Sequence, residues 1–386
     1  MKIFNCLNNT PYRPRRVLCV SKLSSLEFLR SQNPNLNEDQ ILSMLKERGK
    51  DPNEIFTEHQ QQITCEQNLA AILKKLDINF SITKRIADAW KFMNWADLVI
   101  PIGGDGTFLL SSKLITDNVK PVLGINPSIR SNDNNIFTLP PKYATDIESI
   151  FERLHTGKYT LLMRSRIRTV MNGEGLYRRP FHIHEKSRTQ GEKRAEALAR
   201  TTQRKIADSL QPRQRTLPWL ALNEVFIGEF LAVRPITLQI GIEDQEPHQV
   251  RSSGMCVCTG TGSQFWYKSI NIQSAETVRC IVEIATGIKL SNEETNELLH
   301  KYHQALIYSP EDLNMVYMIR EMYHTTRCKN QKCCPDRQKC NKLTVKSCGF
   351  DAGLVIDGCI SLPFNDGTIA TFDIKPEYSL RSIMLT

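Results

Sequence analysis

Along the first 150 residues the apolar positions alternate between two periods. Val17–Val20 is a short continuous apolar run, the pattern of a strand buried on both faces. Residues 37–48 switch to helical spacing, with Ile41, Leu42 and Leu45 on one face, Asn37 and Gln40 as a capping-box pair, and Gly49 at the stop position. A second helix is predicted over 65–76, entered through Thr64, with Leu69, Ile72, Leu73 and Leu76 sharing a face. Strands are expected at Ile78–Ile82, Leu98–Ile102 and Pro121–Ile125, and a helix over Phe108–Ile115. Strands alternating with helices predict an α/β domain over 17–150 with a doubly wound parallel sheet. Pro101 has no N–H to give a ladder, so its strand should end there or lie at a sheet edge.

Beyond residue 150 the runs become short and β-like: Arg166–Val170, Ala221–Ile227, Ile236–Ile242, Gly254–Cys258 and the stretch Gly353–Ile374. They predict a β-rich C-terminal domain over 151–365, with one further helix over 274–288 bounded by Ser274 and Gly287. Two stretches interrupt it: a basic excursion over 180–216, helical over 191–207, and a Cys-rich insert over 325–349. The C-terminal segment 366–386 is expected to pack back on the N-terminal domain, and residues 1–16 form a flexible basic start.

Composition narrows the class. With 40% hydrophobic and 24% charged residues among 386, the chain is an ordinary globular one. It has no apolar run of membrane-spanning length and no signal-peptide core, so neither secretion nor integral membrane association is expected. The start carries Lys2, Arg13, Arg15 and Arg16 before its first acid, Glu27, a weak import-signal pattern. The net charge of +9 concentrates in 163–216, read as a solvated basic loop and helix face. Of the 12 cysteines, Cys328, Cys333, Cys334, Cys340, Cys348 and Cys359 crowd near the C-terminus. Adjacent Cys333 and Cys334 fit paired zinc-ligand spacing poorly, so no metal site is assigned and the insert is read as a mobile surface stretch with free thiols. His182 and His184 fall in the basic excursion and belong to no catalytic motif.

The sharpest chemical signal is Gly103-Gly104-Asp105-Gly106-Thr107, set between a predicted strand and a predicted helix. Glycines there let backbone approach a ligand, the helix start offers free N–H groups to phosphate, and the carboxyl end of a parallel strand is where open α/β sheets bind. Asp105 beside such a cradle can take a proton from an attacking hydroxyl or organise Mg²⁺. Asn223-Glu224, in a strand-like context, pairs an amide with a carboxylate, which a ribose could satisfy. Cys258-Thr259-Gly260-Thr261-Gly262-Ser263, followed by Gln264, Phe265 and Trp266, alternates small hydroxyl residues with glycine beside aromatics able to stack on a base.

The loop resembles the GGDGT loop shared by NAD kinases, lipid kinases and phosphofructokinases. WADLVIPIGGDGT, VLGIN, LNEVFIGE, SSGMCVCTGTGSQFW and FNDGTIATFDI, in that order, resemble the NAD kinase family, most of all its animal mitochondrial branch. The resemblance implies transfer of the ATP γ-phosphate to the 2′-hydroxyl of the adenosine ribose of NAD, with Mg²⁺ as cofactor and ATP as donor. It implies Asp105 as general base, with Gly103, Gly104, Gly106 and Thr107 at the phosphates and Asn223 and Glu224 on the ribose. Thr259, Thr261, Gln264, Phe265, Trp266 and Ser269 would line the base subsites. It further implies a homodimer, a mitochondrial location and no nucleic-acid partner. The chain departs from the common pattern at Ser253, at Pro127–Ser131 and at Gln264–Trp266. Two other classes share these features: a lipid kinase of the same loop superfamily, and a non-catalytic nucleotide sensor.

Overall fold

The structure, a computed structural model, describes residues 10–128, 136–177, 181–182, 208–243, 245–323 and 335–385. The chain divides into two units, Met1–Met163 with Leu380–Thr386, and Arg164–Ser379. The helix expected over 191–207, His184, Cys328, Cys333, Cys334 and residues 1–9 lie outside the described residues.

The first unit runs β1 (Arg16–Ser21), α1 (Ser25–Gln32), α2 (Glu38–Glu47), α3 (Pro52–Lys75), β2 (Asn79–Thr83), α4 (Ile86–Ala89), β3 (Leu98–Ile102), α5 (Asp105–Ser112), α6 (Lys142–Thr145), α7 (Ile147–His155) and β4 (Tyr159–Arg164). β1 lies between β2 and β3 and parallel to both. It is covered on both faces, hence its unbroken apolar run. Cys65, Leu69 and Leu73 of α3 and Ile147, Ile150, Phe151 and Leu154 of α7 join Val17, Cys19, Leu98 and Ile100 in one core cluster.

One expectation needs correcting here, while the edge position expected of the strand with Pro101 is observed, since β3 is the outer strand of the sheet ordered β2-β1-β3. α3 begins at Pro52, capped by Asp51, not at Thr64. Its first turns are polar, with Ile55 and Gln62 turned inward, so apolar periodicity alone missed them; the Asp-Pro start was the available signal. Pro101 sits within β3, one residue before its end. The Pro101 carbonyl accepts from Ile125 N–H (2.9 Å), while Val99 and Gly103 donate to the carbonyls of Pro121 (3.1 Å) and Ile125 (2.8 Å). The ladder therefore loses a single bond, on the side where residues 121–125 pair through isolated parallel bridges rather than as a full strand.

The second unit contains β5 (Ile167–Asn172), β6 (Phe181–His182), β7 (Gln214–Thr216), β8 (Glu224–Glu229), β9 (Ile236–Ile242), β10 (His248–Ser252), β11 (Gly254–Cys258), α8 (Trp266–Asn271), α9 (Ala275–Thr286), α10 (Asn292–Ala305), β12 (Met315–Arg320), β13 (Arg337–Cys340), β14 (Lys342–Ser347), β15 (Ala352–Ile356), β16 (Ile360–Pro363) and β17 (Ile369–Ile374). The last strand of the chain, β18 (Leu380–Leu385), belongs to the first unit and pairs with β4. The strands of the second unit form sheets ordered β10-β9-β14-β17-β5-β7 and β13-β12-β11-β8-β15-β16-β6. β9 and β11 have the bounds their patterns predict. α9 starts at the Ser274 cap and stops at Gly287, as its ends predict.

The second half of the Cys-rich stretch is not a mobile surface insert. β13 and β14 are ladder strands, Leu343 and Val345 are fully buried, and Cys340 is buried. Burial pushes the Cys340 thiol up to about 12, so it stays protonated. Nor is the start of the basic tract solvated. Arg164 and Arg166 are buried, the Arg166 Nε–H donating to the Tyr378 carbonyl (2.6 Å), and Arg168 pairs with Asp373.

α1, unmarked by apolar spacing, is set by a capping box in which Ser24 and Glu27 bond each other's backbone N–H. The Lys84 ammonium also reaches Glu27 Oε1 (2.5 Å). Burial by itself would raise the Glu27 carboxyl, but Lys84 and the Ser24 donors outweigh it and hold the group below its ordinary value. A depressed folded value contributes stability that is present above the unfolded one, near ~4.3, and is lost as pH falls. Glu27→Gln is therefore expected to cost about 1 kcal/mol at pH 7. Thermal melts should show the difference closing as pH drops below about 4.

Candidate active site

One candidate segment, in the first unit, is built where β3 runs into α5. Gly104 is the helix N-cap and Asp105 its first residue, so the carboxylate sits at the positive end of the helix among N–H groups that lack intrahelical acceptors. Gly103 turns the chain at φ +153°, in a region that side chains rarely adopt. A Cβ there would lie 2.4 Å from Thr107 Oγ1 and 3.0 Å from Lys22 Cβ. At Gly104 and Gly106, by contrast, a Cβ would meet nothing within 4 Å, so the loop's clearance opens outward. The predicted residues Gly103, Gly104, Asp105, Gly106 and Thr107 thus form one turn, held from behind by the buried amide of Gln62. Its Nε2 donates to the Ile102 carbonyl (3.0 Å) and to Ser21 Oγ (2.7 Å).

A second candidate segment, in the second unit, is built around the chain entering β8. Asp357, in the Asp-Gly turn between β15 and β16, accepts the backbone N–H groups of Leu222 (2.8 Å), Asn223 (2.8 Å) and Glu224 (2.9 Å). The Asn223 carbonyl accepts in turn from Thr259 N–H (2.9 Å). Gly262 lies so close that a Cβ would stand 2.0 Å from that same Asn223 oxygen. The Asn-Glu pair and the threonine-glycine turn, 35 residues apart in sequence, are therefore one packed unit.

Polar groups around this second segment divide by what they bond. The Thr259 hydroxyl donates to the Leu222 carbonyl (2.6 Å), Ser263 Oγ donates to the Gly260 carbonyl (2.7 Å), and Thr261 Oγ1 accepts from Arg164 (3.5 Å). All three are fully buried, and their hydroxyls bond the protein itself: Thr259 and Ser263 a backbone carbonyl each, Thr261 the Arg164 guanidinium. Asn223 differs. Its side-chain Oδ1 is buried and accepts no hydrogen bond among the described residues, a cost that a ligand hydroxyl would remove. Gln264 and Phe265 are half-buried, and Ser269 is exposed on α8, its hydroxyl bonded to the Phe265 carbonyl (3.3 Å). The Trp266 ring lies tilted against Phe226, centroids 4.7 Å apart, with its surface partly open.

Below the pair, burial pushes the Cys258 thiol up to about 12, with the nearby Glu224 carboxylate adding to the effect. Cys256 moves the same way for the same reason, so neither thiol is a nucleophile here. Sequence reasoning missed Asp357 and Gln62. The first carried a signal, the Asp-Gly pair between two apolar runs. The second, one of three consecutive glutamines, carried none.

Residues 38–128 match the ATP-NAD kinase N-terminal domain family. Over 97% of its length the chain is 30% identical to the human "NAD kinase 2, mitochondrial", covering 85% of that protein. It is 31% identical to the rat protein of the same name, again over 97% of this chain and covering 88% of the relative. Among solved structures, yeast NADH kinase complexed with NADH has a similar fold, with a TM-score of 0.53 at 14% identity, covering 97% of this chain and 84% of that one.

Gly103→Ala is expected to destabilise the first unit by about 1–3 kcal/mol, from a strained φ and a clash with Thr107. Gly106→Ala, facing open space, should change stability by less than about 0.5 kcal/mol in the same melts.

Proposed function

The chain belongs to the NAD kinase family, and from that premise we propose how its residues carry the reaction, in which the γ-phosphoryl group of ATP passes to the 2′-hydroxyl of the adenosine ribose of NAD to give NADP. Family membership displaces the lipid-kinase alternative. The observation that carries the residue assignment is the placement of Asp105 as the first residue of α5, directly after a glycine turn with outward clearance.

In this reading the amide groups of Gly104 and Gly106 hold the donor's phosphates, where a helix start favours anions, while the Gly103 and Thr107 amides brace the turn through the Ile125 and Gly104 carbonyls. The Asp105 carboxylate takes the ribose proton as the new O–P bond forms and the bond from phosphorus to the ADP oxygen breaks. Asn223 Oδ1 accepts a hydrogen bond from a ribose hydroxyl, which supplies the donor its buried position lacks. Glu224 shares that contact, and Phe265 and Trp266 offer faces for a base, with Thr259, Thr261, Gln264 and Ser269 shaping the turn that presents them.

Among the described residues no three His, Cys, Asp or Glu side chains cluster to cage a metal. Mg²⁺ keeps phosphate and water oxygens readily, so the donor's own phosphates would hold it beside the turn. The ion when bound would neutralise charge on the transferring phosphoryl oxygens, with Asp105 kept as the proton acceptor.

The exposed Ile281, Ile284 and Ile288, on and just after α9, form an apolar stripe that supports a homodimer, and the names of the relatives support mitochondrial import. Sedimentation of the purified chain should give twice the monomer mass, and a C-terminal fluorescent fusion should co-localise with mitochondria; a monomer or a diffuse signal would remove the respective proposal. Among the described residues no helix is long and apolar enough to cross a membrane.

Asp105→Asn keeps size and shape while removing the proton acceptor. With ATP, Mg²⁺ and NAD, its kcat for NADP formation is expected to fall about 100-fold or more, with melting temperature and nucleotide binding retained. Wild-type turnover in this variant would refute the base role.

A further inference from the structure

We propose that Lys22 is a substrate-binding residue whose ammonium engages the triphosphate of the phosphoryl donor beside the glycine turn, an assignment that rests on the kinase reading above. The parallel register sets Ser21 of β1 opposite Ile102 of β3, so the next residues out, Lys22 and Gly103, emerge side by side at the carboxyl ends of the strands. Lys22 N–H donates to the Ile102 carbonyl (2.9 Å). A Cβ on Gly103 would stand 3.0 Å from Lys22 Cβ, so the lysine stem starts against the very residue that turns the loop.

The footing beneath Lys22 is rigid. Gln62, buried on α3, ties the two strand ends together through the Ile102 carbonyl and Ser21 Oγ, and Ser21 Oγ donates to Glu66 (2.5 Å). The side chain above it is exposed, and its ammonium has no ion-pair partner among the described residues. The neighbouring cation is already committed: Lys84 lies 2.5 Å from Glu27 and 3.6 Å from Glu66. A triphosphate on the loop brings several negative charges to a place where backbone amides supply only partial positive charge. A flexible lysine anchored at its base is suited to meet them as a point charge. The other cations at these strand ends, Lys84 and Arg85, follow β2, which β1 separates from β3.

The test compares Lys22→Met and Lys22→Arg with wild type, in steady-state kinetics and by calorimetric titration with ATP, inorganic tripolyphosphate and NAD. Loss of a charge-assisted contact should raise the KM for ATP, and weaken ATP and tripolyphosphate binding, by about tenfold or more. NAD binding should be unchanged, the arginine variant should recover most of the loss, and the melting temperature should hold because the residue is exposed. Unaltered ATP and tripolyphosphate binding in the methionine variant would overturn the proposal. So would a defect confined to NAD, which would assign the lysine to the dinucleotide's diphosphate. Wild-type protein that binds tripolyphosphate through Lys22 yet makes no NADP would defeat the kinase reading while leaving the lysine's role standing.

Discussion

The candidate segment in each unit depends on a place where nothing larger than a hydrogen atom fits beside the backbone. At Gly103 the space a methyl group would need is taken by the Thr107 hydroxyl and the Lys22 stem; at Gly262 it is taken by the Asn223 carbonyl. Each contact joins two segments that hold candidate site residues. In the first unit it seats the turn bearing Asp105 against the end of β1, and in the second it fastens the threonine-glycine turn onto the Asn-Glu pair. Packing of this tightness leaves little freedom for relaxation, so residues several positions away inherit their geometry from it.

Around these contacts the polar groups separate into two populations. Asp357, Thr259, Ser263 and Gln62 spend their hydrogen bonds on the protein's own backbone, which fixes the chain without presenting anything to a ligand. Asp105 at a helix start, Asn223 with its buried unbonded Oδ1, and the exposed ammonium of Lys22 are positioned to act outward. A buried acceptor left unsatisfied costs free energy in the unliganded protein, and that cost is recovered when a hydroxyl arrives. The hydroxyls of Thr259 and Ser263 in the threonine-glycine turn therefore serve as scaffolding.

The elements that apolar period could resolve are those with one dominant face or with unbroken burial: β1, β3, β9, β11, α2 and α9. The first turns of α3 escaped because a mostly polar helix that turns Gln62 inward has no apolar stripe to read. β14 escaped because its neighbours are cysteines and lysines, residues whose burial depends on the partner strand. Arg164 and Arg166 looked solvated for the same reason: a cation's surroundings are set by distant segments, here the carbonyl of Tyr378 for Arg166.

Sequence alone pointed to the family and picked out the Gly103–Thr107 turn and the Asn-Glu pair as candidate segments, because local glycine and carboxylate patterns encode backbone geometry and charge within a few residues. Only the tertiary structure decided which of those residues are committed inward. Whether the Thr259 hydroxyl meets a ligand or the Leu222 carbonyl, and whether Lys22 stands beside Gly103, depends on strand register across 37 and 81 residues of chain. Register is fixed by the burial of whole strands at once, and no short stretch of sequence contains that information.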